Sequence, residues 1–347
     1  MPGEAIPSQE VLYYMKKHLR IMTVLLISAA AALLCAVALS RAVYGRSLKA
    51  TIYEIRLRMK HAHPRSAAEE DARLEALRRE AEPAYRLPED LRFAVGVDEA
   101  EWGGLRAFTL NPGGGATTVL YLHGGAYVNS FNAHQWRFLD RLAQTGCEVL
   151  APDYHLTPFG SCAQAYDGLT ALYRAWCSAH PGRRLGLMGD SAGGGLALGL
   201  AEHLRDLGEP LPERLVLLSP WVDVSMDNPE AGSLAAVEPM LHLDLMRTHG
   251  RWWAGALDVH DWRVSPIYGD MEGLPPVTVF CGTRELLYPD ILRCCDRLRA
   301  AGVEVDLHVG RGLNHDFPLM PIPEAERAFE QIAGLIGNSF RRMGNGE

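Results

Sequence analysis

A serine flanked by glycines is the residue of this chain best placed for nucleophilic chemistry. Residues 189–193 read Gly-Asp-Ser-Ala-Gly, between the apolar run 185–188 and the helix-forming stretch 196–204. This pattern predicts a strand, a tight turn and a helix, because Cβ atoms at the glycine positions would clash. The turn would expose the Ser191 hydroxyl and aim the Ala192 N–H at a negative oxygen formed beside it. An ordinary glycine-rich connection is the alternative interpretation.

A pair of glycines after another apolar run predicts further donors for that negative oxygen. Residues 123–127 read His-Gly-Gly-Ala-Tyr and follow a predicted strand that ends at Leu122. Glycines let the backbone approach a ligand and turn its N–H groups inward, which suits the oxyanion of a tetrahedral intermediate. An ordinary turn is the alternative. The predicted oxyanion donors are the backbone N–H groups of Gly125, Ala126 and Ala192. Their predicted supporting residues are His123, Gly124 and Asp190.

A histidine near the C-terminus is the predicted base. His315 follows the last predicted strand, on a loop that would bring its imidazole to the Ser191 hydroxyl. Glu285 follows the preceding strand, where a carboxylate can fix the imidazole tautomer and stabilise the imidazolium. Asp290 is the alternative acid, and the unused carboxylate would be a helix cap or dipole partner. These residues predict acyl transfer through a covalent acyl-enzyme.

The elements that must position these residues alternate between strand and helix. Alternation of this kind predicts a mostly parallel sheet wrapped by helices, with reactive groups gathered beyond the carboxyl ends of the strands. The predicted strands cover residues 105–110, 117–122, 148–152, 184–189, 215–219, 277–281 and 303–309. The predicted helices cover residues 135–144, 162–179, 194–207, 287–301 and 324–336.

Composition and charge exclude several other classes of function. The 347 residues are 48% hydrophobic and carry a net charge of −8, enough apolar sequence for one large core. Residues 1–60 hold nine Lys or Arg against three acidic residues, so the remainder is strongly acidic and unsuited to nucleic acid. The basic segment suits anionic lipid headgroups instead. Seven cysteines without a C-x-x-C pair argue against a zinc or redox motif and fit a reducing compartment.

The segment 21–40 is predicted to be a membrane anchor. Residues 21–39 carry no charge and would form a helix of about 28 Å, close to the thickness of the hydrocarbon core of a bilayer. A cleaved signal peptide and a buried core helix are the alternatives. Three Lys or Arg precede the span and six follow within about twenty residues, which favours a single-pass protein with a cytoplasmic C-terminal domain.

The predicted domain organisation places this anchor between a tail and the catalytic part. Residues 1–20 form the tail and residues 41–95 a basic linker with helices at 41–82, which either lie in solvent or cap the catalytic domain. A helix at 67–81 has acidic residues early and arginines late, as the helix dipole favours. Residues 96–340 form the catalytic domain, with a cap insertion at about 221–264.

From about residue 105 to residue 336 the chain resembles the hormone-sensitive-lipase branch of the α/β-hydrolases, which includes bacterial acetyl esterases and arylacetamide deacetylase-like enzymes. The matching landmarks are the two glycine motifs, the Asp-Tyr-His-Leu-Thr-Pro run at 153–158, Ser-Pro-Trp-Val-Asp at 219–223 and Ser-Pro at 265–266. The resemblance implies a serine carboxylesterase without metal or cofactor, an eight-stranded sheet and a helical cap. The order Ser191, Glu285, His315 is the one expected of this fold.

Two departures from the family pattern concern the site. Ala126 replaces the third glycine of the oxyanion loop, which keeps the N–H and narrows the pocket by a methyl group. Glu285 stands where aspartate is usual and is one methylene longer, which keeps Asp290 open as the acid.

The substrate is predicted to be a short-acyl ester of a lipophilic alcohol. Aromatic candidates for the pocket and cap suggest an uncharged substrate, although such aromatics more often belong to the core. An anchor would bring the entrance close to lipid. An amide deacetylase or an acyltransferase would use the same residues, and a non-catalytic small-molecule binding protein is the remaining alternative. The candidates are Tyr127, Trp221, Trp252, Trp253 and Phe317.

Overall fold

An eight-stranded sheet forms the centre of the protein. The structure, a computed structural model, describes residues 9–337, so the first eight residues of the predicted tail and residues 338–340 of the predicted catalytic domain lie outside it. The strand order is β1-β2-β4-β3-β5-β6-β7-β8; β1 and β2 run antiparallel to their neighbours and the other pairs are parallel. The strands are β1 Val97–Trp102, β2 Leu105–Leu110, β3 Thr117–Leu122, β4 Glu148–Pro152, β5 Arg184–Asp190, β6 Leu215–Leu218, β7 Val277–Gly282 and β8 Val305–Gly310. The predicted mostly parallel, eight-stranded α/β-hydrolase sheet is confirmed.

Helices cover both faces of this sheet. Strands β3, β4, β6 and β7 are buried at every residue, as expected of parallel strands packed on both sides. Two apolar clusters form the core, one on each face. The helices are α1 Gln9–Leu39, α2 Leu48–Lys60, α3 Ala67–Leu77, α4 Ala133–Ala143, α5 Cys162–Ala179, α6 Ser191–Asp206, α7 Pro229–Leu234, α8 Leu243–Ala254, α9 Tyr288–Ala300 and α10 Pro323–Gly337.

Strand β1 is the one that the apolar pattern did not predict. It carries Asp98, Glu99 and Glu101 and lies at the sheet edge, where its side chains are mostly exposed. Its pairing with β2 through a tight turn at Gly103–Gly104 therefore comes from hairpin geometry and not from burial. The seven predicted strands form within two residues of their predicted bounds.

The predicted helical segment 41–82 divides into three pieces. A π-helical turn, Ser40–Tyr44, ends at Gly45 with φ of 69°, and the side chain of Ser47 then caps α2. Helix α3 begins at a capping box in which Ser66 and Glu69 bond each other's backbone N–H, and it ends at Leu77, before the predicted end at 81. Glycine at a left-handed position and serine caps explain these breaks.

Helix α1 projects from the domain. It has 31 residues, about 46 Å at the rise of an α-helix, and its apolar side chains between residues 13 and 35 are exposed. Among residues 9–337, one helix region, Tyr13–Tyr44, is long and apolar enough to cross a bilayer, with a mean hydropathy of 2.6 and no part of that window buried. A helix buried in the core of this chain would not be exposed in this way.

Helix α3 packs on α8 of the predicted insertion. Glu70 of α3 is buried and accepts hydrogen bonds from Arg73 at 2.5 and 2.9 Å, and its Oε1 lies 3.0 Å from His249 Nε2 of α8. Trp252 Nε1 donates to Asp71 at 2.8 Å. These contacts join the segment before the sheet to the insertion after β6, as a two-part cap would require. The domain bounds themselves stay a prediction.

Candidate active site

Ser191 is the first residue of α6, directly beyond strand β5. Its backbone is in the left-handed region, with φ of 51°, which is uncommon for a residue with a side chain. The flanking glycines are required by close backbone contacts. A Cβ at Gly193 would lie 2.0 Å from the Leu122 carbonyl oxygen, and one at Gly189 would lie 2.3 Å from the Gly193 carbonyl oxygen. The predicted strand–turn–helix therefore forms with the serine at its apex.

The structure brings Ser191, His315 and Glu285 into one line. His315 Nε2 lies 2.9 Å from Ser191 Oγ, and His315 Nδ1 lies 2.6 Å from Glu285 Oε2. All three side chains are buried. An imidazole with a carboxylate on one nitrogen and a hydroxyl on the other can take the hydroxyl proton as general base. The geometry thus suits a serine nucleophile.

The Glu285 carboxylate is anchored by Gly282, at the end of β7, and by Ser219, from the loop after β6. Its Oε1 accepts a hydrogen bond from the Gly282 N–H at 2.6 Å and one from Ser219 Oγ at 3.0 Å. Ser219 Oγ in turn accepts the Asp316 N–H at 3.0 Å. The longer glutamate side chain folds back onto the end of β7, so one oxygen is anchored while the other faces the imidazole. This role of Ser219 was not predicted, because nothing local to residues 219–223 indicates a partner 66 positions away.

The alternative acid, Asp290, lies elsewhere. Asn228 Nδ2 donates to its Oδ1 at 2.8 Å, and the Arg293 guanidinium lies 3.9 Å away. Asp290 is in the first turn of α9, where a carboxylate favours the helix dipole. Glu285, and not Asp290, therefore contacts the imidazole.

His315 is surrounded by further carboxylates that the sequence did not predict. Asp316 Oδ2 lies 3.3 Å from His315 Nε2, on a residue with φ of 54°. Burial lowers the pKa of His315, but the charges of Asp316 and Glu285 raise it, and the net pKa lies above that of an ordinary histidine. Burial raises the pKa of nearby Glu238 to about 7.

The predicted oxyanion loop is tied to the serine turn by Asp190. Its Oδ1 accepts the Gly124 N–H at 2.8 Å and the Tyr121 hydroxyl at 2.5 Å, and its Oδ2 accepts Gln135 Nε2 at 2.8 Å. Gln135 also donates to the Gly124 carbonyl at 3.3 Å. Asp190 therefore fixes the loop and the turn relative to each other. Tyr121 and Gln135 carry no recognisable signal in the sequence.

The loop itself is held in a strained form. Gly125, Ala126 and Tyr127 have φ of 135°, 54° and 62°. Within residues 9–337, the N–H groups of Gly125 and Ala126 donate to no protein acceptor, so they are available to a ligand. Ala192 follows Ser191 at the start of α6, where an N–H has no partner within the helix. The neighbouring Gly124 adjoins the serine, since a Cβ at Gly124 would lie 3.0 Å from Ser191 Cβ, so the three N–H groups stay the candidates for an oxyanion hole.

His123 supports this loop and does not face the serine. Its Nδ1 lies 2.8 Å from the Gly124 carbonyl oxygen, and its ring stacks on Tyr154 and packs against Phe131. Burial lowers the pKa of His123 to about 4, which keeps the ring neutral at physiological pH. A neutral, enclosed imidazole fits the predicted supporting position.

The predicted pocket aromatics separate into two groups. Tyr127 stacks on Trp253 at a ring distance of 3.9 Å and on Trp221 at 5.6 Å, and all three rings are buried. Phe317 packs in the other core cluster, where its ring adjoins Gly310. That position does not support the prediction that Phe317 lines the pocket. The aromatic stack forms a rigid apolar wall behind the oxyanion loop.

A surface cavity of about 900 Å³ opens between α3 and α8, lined by Glu75, Arg78 and Trp252 among others. The turn at residues 157–160 forms another part of its lining, and the Thr157 N–H donates to the Tyr127 carbonyl at 2.9 Å. The cavity thus adjoins the oxyanion loop.

Across residues 9–337, no group of three or more His, Cys, Asp or Glu is arranged to hold a metal ion.

Known proteins resemble this chain in sequence and in structure. Residues 119–319 match a protein family described as having the α/β-hydrolase fold. An acetyl-hydrolase of Streptomyces hygroscopicus is 33% identical over 237 residues, which cover 66% of this chain and 77% of that protein. An esterase of Acinetobacter venetianus is 28% identical over 236 residues, 66% of this chain and 78% of that protein. A solved esterase from the bacterial hormone-sensitive lipase (HSL) family has a TM-score of 0.72 at 30% identity, covering 85% of this chain and 99% of that one.

Proposed function

The chain belongs to the α/β-hydrolase fold family, as its motifs predicted, and we propose that it is a serine carboxylesterase that cleaves short-acyl esters of lipophilic alcohols. Its class, carboxylic ester hydrolase, follows from the esterases and acetyl-hydrolases that it resembles. One observation carries the proposed mechanism: the His315 imidazole joins Ser191 Oγ to the Glu285 carboxylate.

The first half-reaction transfers the acyl group to the enzyme. Neutral His315 takes the proton of Ser191 Oγ as that oxygen attacks the ester carbonyl carbon, and Glu285 stabilises the imidazolium. The carbonyl oxygen becomes an oxyanion that accepts hydrogen bonds from the N–H groups of Gly125, Ala126 and Ala192. His315 then gives its proton to the alcohol oxygen as the carbon–oxygen bond breaks, and the acyl group stays on Ser191.

The second half-reaction releases the acid. A water molecule gives a proton to His315 and attacks the acyl carbon, which re-forms the oxyanion in the same donor set. The imidazolium returns its proton to Ser191 Oγ as the acyl–serine bond breaks, so the enzyme regains its starting state. No metal or cofactor is needed for this sequence of steps.

Three observations support the substrate class. The acetyl-hydrolase relative favours a short acyl group. The Ala126 methyl group narrows the space at the oxyanion loop, and the buried Tyr127–Trp253 stack behind it presents an apolar wall. The exposed apolar helix α1 would keep the domain where lipophilic esters concentrate.

Hydrolysis of a p-nitrophenyl ester series of increasing acyl length tests this proposal. We expect the highest kcat/KM with the shortest acyl chains and complete loss of turnover in Ser191→Ala. Turnover that persists in Ser191→Ala would contradict the serine mechanism. Faster cleavage of matched anilides would instead indicate an amide deacetylase, and ester products that depend on an added alcohol would indicate an acyltransferase.

We further propose that α1 anchors the protein in a membrane by a single span, with the catalytic domain on the cytoplasmic side. The exposed apolar surface of α1, the excess of cations after the span and seven unpaired cysteines support this arrangement. A membrane-impermeant maleimide should label Leu207→Cys only after cells are opened, in a background without Cys35 and Cys177. Labelling of intact cells would place the domain outside.

A further inference from the structure

The outward face of α2 carries an apolar stripe that the fold leaves uncovered. Ile52, Ile55 and Met59 are 43%, 53% and 75% exposed. Residues spaced by three and four positions lie on one side of a helix, so these three side chains form a continuous row, here called the outward stripe. Single exposed apolar residues are ordinary, but a row of three on one short helix marks a contact surface.

Cations flank the outward stripe on the same exposed half of α2. Lys49, Arg56 and Lys60 are all exposed, and within residues 9–337 none of them forms an ion pair. An apolar row beside unpaired cations is the pattern of a helix that lies in the interface of an anionic bilayer, with its apolar side among the lipids and its cations at the headgroups.

The inward face of α2 is fully used, so the helix cannot turn to bury the stripe. Ala50 and Leu57 are buried, and Glu54 forms hydrogen bonds with Arg46, Arg58 and Arg284. The Arg46 guanidinium also donates to the Gly312 carbonyl at 2.6 Å, on the loop that leads to His315. The stripe therefore faces away from the domain for as long as this ion cluster persists.

Chain connectivity places the stripe near the end of the proposed span. Only residues 45–47 separate the π-helical turn that follows α1 from the first residue of α2. Three residues reach at most about 10 Å, so α2 must begin close to the point where α1 leaves the hydrocarbon. The bilayer would therefore adjoin the outward stripe and leave little room for a soluble protein partner to bind there.

We propose that the outward stripe and its three cations dock on the surface of an anionic bilayer, with α2 lying in the interface. This inference rests on the proposed anchoring by α1. Docking would fix the height of the catalytic loops above the lipid, because Glu54 of α2 binds Arg284, and Arg46, in the turn just before α2, binds the loop that leads to His315. The distance from the membrane surface, where a lipophilic ester dissolves, to the Ser191 hydroxyl would then be constant.

Fluorescent labels on the full-length protein in liposomes test the docking. Ile55→Cys reports the stripe, Leu33→Cys reports the span, and Leu207→Cys is the control, an apolar residue 45% exposed at the far end of α6. Each is made in a background without Cys35 and Cys177 and carries an environment-sensitive dye, in vesicles of phosphatidylcholine and phosphatidylglycerol with nitroxide lipids. We expect strong quenching at 33 and 55 and none at 207.

The three labels separate failure of the docking from failure of the anchor. If the dye at position 33 is quenched but the dye at position 55 is quenched no more than the dye at position 207, the docking is overturned and the anchor is retained. Quenching at neither 33 nor 55 overturns both. A dye at 55 that is shielded from water but not quenched shows that protein, and not lipid, covers the stripe, and that result also overturns the proposal.

Neutralising the three cations of α2 tests their contribution to the docking. Lys49→Gln, Arg56→Gln and Lys60→Gln combined should reduce quenching at 55 several-fold in vesicles containing phosphatidylglycerol. The matched control, Arg79→Gln, Arg174→Gln and Arg299→Gln, removes three charges elsewhere and should leave quenching unchanged. Equal quenching in the two triple variants overturns the role of the cations.

Discussion

At the residue scale, one imidazole receives three different contacts. Glu285 contacts its Nδ1, while Ser191 and Asp316 both lie within 3.3 Å of its Nε2. The first contact fixes the tautomer in which Nε2 can accept the serine proton. The Asp316 contact favours the protonated imidazole, which is the form that cannot act as base. The activity of the site therefore depends on the balance between the two carboxylates.

Replacing the two candidate acids separately distinguishes their roles. Glu285→Gln should lower kcat by about 10⁴-fold, because an amide facing Nδ1 can donate to it and stabilise the wrong tautomer. Asp290→Asn should leave kcat unchanged, since Asp290 contacts Asn228. Steady-state hydrolysis of a short p-nitrophenyl ester measures both. A large loss in Asp290→Asn with little in Glu285→Gln would reverse the assignment.

Removing the second carboxylate should shift the pH profile. The charge of Asp316 raises the pKa of His315, so Asp316→Asn should lower that pKa and keep the base neutral in more acidic solution. The acid limb of kcat/KM should then move to lower pH. Asparagine accepts the left-handed backbone at this position, so the fold should persist. Glu326→Gln, far from the site, is the control; an acid limb that stays in place or moves upward would contradict the role of Asp316.

At the element scale, patterns within one strand or helix were predictable and contacts between them were not. The buried parallel strands are apolar runs of the right length, so their bounds followed from the sequence within two residues. The edge strand β1 was not predicted, because its charged residues carry no apolar signal. The sequence favoured Glu285 as the acid but left Asp290 open, since both follow β7. Ser219 and Asp316, which come from other loops, set that geometry.

The first part of the predicted linker, residues 45–60, packs on the catalytic domain. Glu54 of α2 binds Arg46, from the turn after α1, and Arg284, which precedes the proposed acid Glu285. Ser47 bonds Glu324 of α10 through both its N–H and its hydroxyl, at 2.5 and 2.9 Å. The segment between α1 and α2 is therefore packed on the catalytic domain and is not a free tether.

Breaking the Glu54 cluster should destabilise the fold. Glu54→Leu would leave the buried Arg46 guanidinium without its carboxylate, at a cost of about 3 kcal/mol in the free energy of unfolding. Glu75→Leu removes a carboxylate from a surface pair with Arg79 and should cost less than about 1 kcal/mol. Denaturant unfolding of the full chain in detergent measures both, and equal stability of the two variants would show that the cluster contributes little.

The Glu54 cluster should also make the free energy of unfolding depend on pH. Burial raises the pKa of Glu54, but hydrogen bonds from Arg46 and Arg284 lower it, and the net pKa is below that of an ordinary glutamate. Because the pKa of Glu54 is lower in the folded than in the unfolded protein, the Glu54 carboxylate stabilises the fold at pH values above the ordinary glutamate pKa. This stabilisation is lost as the pH falls through the pKa that Glu54 has in the folded state. The difference in stability between wild type and Glu54→Leu should therefore be full at neutral pH and shrink in acid.

At the scale of the whole molecule, a hydrolase domain is continuous with a helix that suits a bilayer. Deleting residues 1–38 keeps Ser40, whose hydroxyl bonds Thr51 at 2.6 Å, and so preserves the packed turn. The shortened chain should leave the membrane fraction and keep its activity on dispersed ester, but lose activity on ester carried in vesicles. Retention in carbonate-washed membranes, or equal rates on vesicle-borne ester with and without the helix, would contradict the anchoring.

Covalent trapping of the nucleophile tests the central claim most directly. A fluorophosphonate reacts with a serine only when a neighbouring base activates it and an oxyanion hole receives the phosphoryl oxygen. Mass spectrometry of the labelled full chain should show one adduct, on the peptide containing Ser191, and the loss of esterase activity should follow its formation. Full labelling at another residue, or unlabelled Ser191 in protein that hydrolyses esters, would show that a different group carries out the reaction.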